Sequence, residues 1–120
     1  MKYKSAIEGK YIVKKDYSKK IIFGLSDFQS KGHLFQEVII PANTKQRNHY
    51  HLKQTELWYI SQGEGHFFIN NIDNLVKQGD TLMGGPRESH YVWNKSNQDL
   101  HILVFKIDMP ENDEDTIWIE

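Results

Sequence analysis

Cysteine is absent from the 120-residue sequence, which excludes disulfides, thiolate metal sites and cysteine nucleophiles together. Any metal must therefore be held by nitrogen and oxygen. A basic excess is also missing: 15 Lys and Arg stand against 16 Asp and Glu, so no nucleic-acid partner and no anionic membrane surface is expected. The first residues, Met1 to Ser5, lead into no apolar segment, and no run of about 18 apolar residues could span a bilayer. A cytoplasmic protein without membrane contact is the expectation. The length suits one hydrophobic core, so residues 1–120 are read as a single domain.

A helical period is lacking too. Instead, short runs rich in Val, Ile, Phe, Tyr and Trp recur between turn signals, which predicts an all-β barrel or sandwich. Strands are expected at 10–13, 21–24, 34–40, 46–51, 56–61, 65–69, 74–77, 81–83, 90–94 and 100–107. Ten short strands fit a jelly-roll-like barrel. Turns are expected at 41–43, 62–65, 70–74, 78–80 and 95–99, where Gly, Asn, Asp, Ser and Pro interrupt the apolar runs. The segment 110–115, acidic and poor in apolar residues, reads as a loosely held connection. Lysines gather at the front (Lys2, Lys4, Lys10, Lys14, Lys15, Lys19, Lys20) and acids at the back (Asp108, Glu111, Asp113, Glu114, Asp115, Glu120). Solvated faces explain this more readily than pairing of the two ends, because exposed ion pairs are weak.

Candidate chemistry concentrates in His49-Tyr50-His51, followed by Glu56, with His90 further on. Side chains at i and i+2 of a strand share one face, so the two histidines aim at one point. If Glu56 opens the next strand and His90 lies across the barrel, three nitrogens and one oxygen converge and leave positions open for water or substrate. Taken singly, each residue is explained as well by a surface or hydrogen-bonded role.

The whole pattern resembles the two sequence motifs of the cupin family. In the first, Asn43 replaces a glycine, five residues precede His49, four separate His51 from Glu56, and six separate Glu56 from Gly63. Asn is the mildest replacement, since it tolerates a left-handed backbone. The second runs from Gly79 to Asn94 and keeps the register of His90, but Gly85 holds the usual proline position, Pro86 comes one place late, and Arg87 stands where glycine is usual. The matched motifs span 43–63 and 79–94, with a short spacer as in compact single-domain cupins. The resemblance implies a double-stranded β-helix (jelly-roll) barrel and one divalent transition metal ion bound by His49, His51, Glu56 and His90. Imidazole and carboxylate suit Fe, Mn, Ni, Co, Cu or Zn alike. Of the other histidines, His66 should point outward, and His33 and His101 are read as structural or surface residues.

Alternation from Glu56 and His90 places Trp58, Ile60 and Val92 on the ligand face, joined by Phe67 and Ile69, as a mostly apolar small-molecule pocket. The opposite parity puts Leu57, Tyr59, Phe68, Tyr91 and Trp93 outside, a surface that a homodimer or the chain's own flanks would cover. The expected function is a metalloenzyme acting on a small molecule, with Glu56 doubling as a catalytic proton acceptor as in the family's oxygenases. A dioxygenase is placed ahead of an isomerase. The run from His49 to Gly63 also resembles the cupin part of mannose-6-phosphate isomerases, but the cations in view, Arg47, Lys53 and Arg87, are too scattered to support a phosphate. The alternative is a cupin that binds a sugar or carboxylate without catalysis.

Overall fold

The chain alternates so regularly that its sheets can be followed from burial alone. In strand β3 (Leu34–Ile40) and strand β11 (Leu100–Ile107) every second residue is buried, as period-two geometry requires when one face meets a core. The computed structural model describes residues 1–112 and 115–119. Among these the remaining strands are β1 (Ile12–Val13), β2 (Ser18–Phe23), β4 (Thr44–Lys45), β5 (His49–His51), β6 (Thr55–Gln62), β7 (Glu64–Ile69), β8 (Ile72–Lys77), β9 (Thr81–Gly84), β10 (His90–Asn94) and β12 (Thr116–Trp118). They form two antiparallel sheets, ordered β1-β2-β3-β11-β6-β9 and β12-β5-β10-β7-β8, with β4 paired to β10. This is the expected jelly-roll architecture. Its core is built from Val38, Ile40, Trp58, Ile60, Phe67, Val76, Val92, Leu100, Ile102 and Val104.

Several boundaries differ from expectation for identifiable reasons. The strand expected at 46–51 is split: Gln46 donates its N–H to Val92 O and Arg47 to the Asp16 carboxylate, so regular pairing resumes only at His49. The expected turn at 70–74 shrinks to Asn70 and Asn71, both at positive φ (49° and 63°), and Ile72 already pairs with Ile69. This is the two-residue hairpin that asparagines favour. Asn43 adopts the left-handed conformation expected of it (φ 54°), and so does Arg87 (φ 67°), at the place where the motif has glycine. Arg87 is held there by donating its N–H to His51 O at 2.7 Å. A non-glycine residue in this region carries a steric cost of about 1–2 kcal/mol, so the loop that precedes His90 is braced against its own backbone preference.

The outer aromatic surface does not form one patch. Leu57 and Tyr59 lie on β6 in one sheet, whereas Phe68, Tyr91 and Trp93 lie on β7 and β10 in the other. Phe68 and Tyr91 stack at 4.5 Å, and the Lys45 and Lys95 ammonium groups sit over Trp93. No helix among the described residues is long and apolar enough to cross a membrane.

The acidic segment near the end is anchored rather than loose where it is described, although Asp113 and Glu114, like Glu120, lie outside the described residues. Asp115 is 2% exposed, accepts hydrogen bonds from the Lys53 and Gln54 backbone N–H groups and from the Gln54 side-chain amide, and gives its carbonyl to Leu52 N–H. It thereby stitches β12 to the turn between β5 and β6. Asp115→Ala leaves two backbone amides and one side-chain amide without their acceptor, and should cost about 1–3 kcal/mol. Urea denaturation checks this; a variant within error of the parent would remove Asp115 from any anchoring role.

Candidate metal centre

Three histidines meet because two strands pair at one register. His49 and His51 project from the same face of β5, and His90 opens β10 directly opposite His49. Ring centroids lie 4.2 Å apart for His49 and His90, 5.3 Å for His49 and His51, and 5.2 Å for His51 and His90. One nitrogen from each can be chosen so that all three lie within 4.8 Å of one another. All three side chains are buried.

The other ring nitrogen of each histidine is occupied. Nδ1 of His49 donates to Arg47 O at 3.0 Å and Nδ1 of His90 to Glu88 O at 3.2 Å, while Nδ1 of His51 meets Thr116 Oγ1 at 3.1 Å. A carbonyl oxygen only accepts, so in His49 and His90 the proton sits on Nδ1 and Nε2 presents a lone pair. This is the tautomer a metal ligand needs, fixed by an outer partner. Burial, together with the neighbouring histidine His90, pushes the His49 imidazole down to about 3. Burial also lowers His90, against the opposing pull of Glu56. Both rings are thus neutral at physiological pH.

Glu56 comes from the facing sheet. Its Oε1 touches His51 Nε2 and lies 3.8 Å from His90 Nε2, and its Oε2 accepts a hydrogen bond from Trp58 Nε1–H at 3.1 Å. Burial raises its proton affinity, but the contact with His51 and the positive charge of Lys106 outweigh this and hold the carboxyl below the usual carboxylate range. His51 Nε2 is buried beside the carboxylate and makes no hydrogen bond of normal geometry. Three imidazoles and one carboxylate, brought together in one buried cluster, fit a divalent cation, and the donor set does not choose which one.

The cluster forms one wall of a cavity of about 280 Å³. Of the residues expected to line a pocket, Trp58, Phe67 and Val92 do so. Ile60 is fully buried in the core and Ile69 packs half-buried against it, and neither faces the cavity. Trp58 packs against Phe67 and His90, each at 4.8 Å between centroids. It fits only because its indole lies over Gly84 of β9, the residue paired with Glu56, where an added Cβ would stand 2.3 Å from the ring. Sequence reasoning missed Gln36, Lys106, Thr116 and Trp118, which also line the cavity. For the first two a signal existed: each interrupts an inward apolar series, Leu34–Val38–Ile40 on β3 and Leu100–Ile102–Val104 on β11. The last two belong to a strand that composition concealed. The remaining histidines stay outside the site: His66 pairs with Asp73 at 3.0 Å, His101 with Glu37 at 3.4 Å, and His33 packs between Phe28 and Phe105.

Known proteins resemble this chain in sequence and in fold. The family model for the cupin domain matches residues 36–106. An oxalate-binding protein of Thermotoga maritima is 35% identical over 75 residues, 62% of this chain and 62% of that protein. An uncharacterised protein of Methanocaldococcus jannaschii is 34% identical over 84 residues, 70% of this chain and 66% of that one. The alignments thus span somewhat under two thirds of these relatives' lengths. Among solved structures, a predicted oxalate decarboxylase from Thermotoga maritima superposes with a TM-score of 0.75 at 28% identity, covering 85% of this chain and 93% of that one. KdgF from a Halomonas species reaches 0.79 at 12% identity, covering 93% and 97%, which shows the fold alone. With more than half of the chain matched by the family model and the barrel in place, the protein belongs to the cupin family.

Proposed function

We propose that the protein is a metal-dependent enzyme acting on a small organic molecule, with one divalent transition metal ion (Fe, Mn, Ni, Co, Cu or Zn) held by His49, His51, His90 and Glu56. The observation that carries this reading is the orientation of the imidazoles: outer partners hold the Nδ1 atoms, and the other ring nitrogens converge on the wall of a cavity. When bound, the ion would supply Lewis acidity or an oxygen-activating centre. The chain's own residues do the rest. Trp58 fixes one carboxylate oxygen of Glu56 by its N–H and leaves the other facing the histidines, where it can hold a proton taken from a ligand. Trp58, Phe67 and Val92 exclude water from one side of the cavity.

Dioxygenase-like oxidation stands ahead of isomerisation of a sugar-type substrate. The loop cations do not support a phosphate: Arg47 is stacked on Trp118 at 4.0 Å, and Lys53 and Arg87 do not line the cavity. Binding without catalysis is the second reading, favoured by the relative named an oxalate-binding protein. Screening of the metal-loaded protein for oxygen uptake and for altered ligand separates the two, since a binding protein returns its ligand unchanged. A second copy would pack on the Phe68, Tyr91 and Trp93 face, the aromatic side of the outer surface. Sedimentation velocity should then show a dimer that Tyr91→Glu dissociates; a monomer at all concentrations would end that idea.

Protein purified without chelators after metal-replete growth should carry about one equivalent of a transition metal, and His49→Ala or His90→Ala should lose it by about ten-fold or more. Elemental analysis reads this directly. Less than about a tenth of an equivalent in the parent, or full retention in His49→Ala, would overturn the ligand assignment.

A pH dependence follows as well. His49 and His90 titrate below their unfolded value of 6.5, so as pH falls through that value the unfolded chain takes up protons that the folded chain refuses. Stability of the metal-free protein should therefore decline from about pH 6.5 downward, towards the His49 value of about 3, by up to about 1.4 kcal/mol per pH unit for each histidine. Glu56 and Asp115, whose folded values lie below the unfolded ones, contribute stability that is present above the unfolded carboxyl range and is lost only at more acid pH. Urea titrations at stepped pH in chelator test this. A stability that is flat between pH 7 and pH 5 would show that the rings are not held neutral.

A further inference from the structure

The cavity does not end in solvent directly; it meets an outer groove of about 750 Å³, bordered by the turn 14–17 and by residues of β4, β10 and β12. Lys14, Tyr17, Gln46 and Trp118 line both spaces, so they form the rim that a molecule lying partly in each has to cross. Three of the four, Lys14, Tyr17 and Trp118, lie outside residues 36–106, the span that carries the family match and all four candidate ligands. The barrel and its histidines belong to the shared domain, whereas the rim is supplied mainly by the flanks. Trp118 is the largest of the four and is clamped. Strand β12 sets it opposite His49 on β5, on the same side as Thr116, and its ring lies 4.9 Å from the His49 ring. The Arg47 guanidinium sits over the indole at 4.0 Å, a cation–π contact. Ile119 N–H donates to Asn48 O at 3.0 Å and ties the backbone just beyond it. An inward position on a strand normally buries its side chain, but Trp118 is 44% exposed and is not part of the core cluster. An indole left this wet forgoes much of the burial by which tryptophan stabilises a fold, so core packing does not account for the residue. Its rim neighbours obstruct less: Lys14 is exposed on a flexible stem, and Gln46 is turned to the backbone, its Oε1 accepting from Val92 N–H at 3.3 Å.

We infer that Trp118 is the specificity-determining residue of the site: its indole stands between the cavity and the groove and restricts ligands of the metal centre to short molecules that end inside the cavity. This rests on the metal reading above. Because the indole lies 4.9 Å from the ring of a candidate ligand, a chain that runs from the histidines towards the groove meets it within its first few atoms. The clamp matters here, since an unrestrained tryptophan would swing aside, whereas this one is held between His49 and Arg47 and has to break a contact to move. The cavity of about 280 Å³ lies at the small end for ligand sites, and joining it to the groove would more than double the space open to a ligand. One side chain from outside the matched domain thus sets the length of molecule that a shared barrel accepts.

The test is titration of the Co(II)-loaded protein with N-methylimidazole, N-butylimidazole and N-octylimidazole, followed by the visible spectrum of the ion, after metal content has been measured on the same samples. All three probes offer the metal the same nitrogen and differ only in length. The parent should bind N-octylimidazole at least about ten-fold more weakly than N-methylimidazole, and Trp118→Val, which keeps a β-branched residue in the strand, should bring the two within about three-fold of each other while retaining its Co(II). Trp118→Phe should fall between them and serves if Trp118→Val does not fold. A parent that binds all three probes alike has a way out that avoids Trp118, and the filter is refuted. If Trp118 only packs against His49, Trp118→Val loses Co(II) and the molecules still loaded keep the parent's preference, which refutes it equally. A parent that takes up no Co(II), or whose spectrum N-methylimidazole leaves unchanged, fails the metal reading itself, and the inference falls with it before the length series is read.

Discussion

The site depends on one point of pairing, His49 opposite His90 across β5 and β10. Forty residues of chain separate these two positions, and no local preference brings them together. A sheet register does, and it is all-or-none: a slip of one residue would turn His49 and His51 outward together, because side chains alternate strictly across a strand. The register is pinned from both sides. Strand β10 pairs along β7 from His90 to Trp93, and β12 lies against β5 with Thr116 opposite His51 and Trp118 opposite His49. Strand β5 is only three residues long and lies between them, so its position is decided by its neighbours rather than by its own propensity.

A cost accompanies this arrangement. Three imidazoles, a carboxylate, an ammonium and a glutamine amide are buried in a barrel whose core has ten principal apolar members. The barrel manages that cost by segregation. Ile60 and Leu100 pack away from the cavity, while the polar groups gather around it, with His49 and His90 oriented by backbone carbonyls and Glu56 by the Trp58 indole. Neutrality of His49 and His90 is part of the same solution, for a neutral ring with one nitrogen already bonded is far cheaper to bury than an imidazolium.

Much of this was legible in the sequence because it depends on spacing. The interval from His49 to Glu56 and the placement of His90 before Asn94 survive in a single chain, and strands 34–40, 90–94 and 100–107 were bounded correctly because their alternation is uninterrupted. What stayed hidden was whatever lacked that alternation. Strand β12 follows an acidic stretch and is not among the expected strands; its pairing with β5 reveals it. The outer aromatics were counted as one face, since parity tells inside from outside but does not say which of two sheets a strand joins. Ile60 and Ile69 have the inward parity of pocket residues, yet how far along the barrel each one lies decides whether it meets the cavity or the core.

Lys106 shows the opposite case, a signal present in the sequence and passed over. Alternation from Leu100 predicts an inward residue at 106 as firmly as it predicts Val104, and the residue found there is a lysine. A long flexible stem lets lysine escape from most such positions by reaching to the surface. Here the side chain stays beside the cavity, hemmed between Leu34 on β3 and Glu56 on β6, and remains within electrostatic reach of Glu56 and His90. The physical content of the position lies in that contradiction between pattern and residue. An aliphatic side chain would satisfy the strand, so the charge answers to the cavity, and the chemistry of whatever occupies the cavity decides whether burying it is repaid.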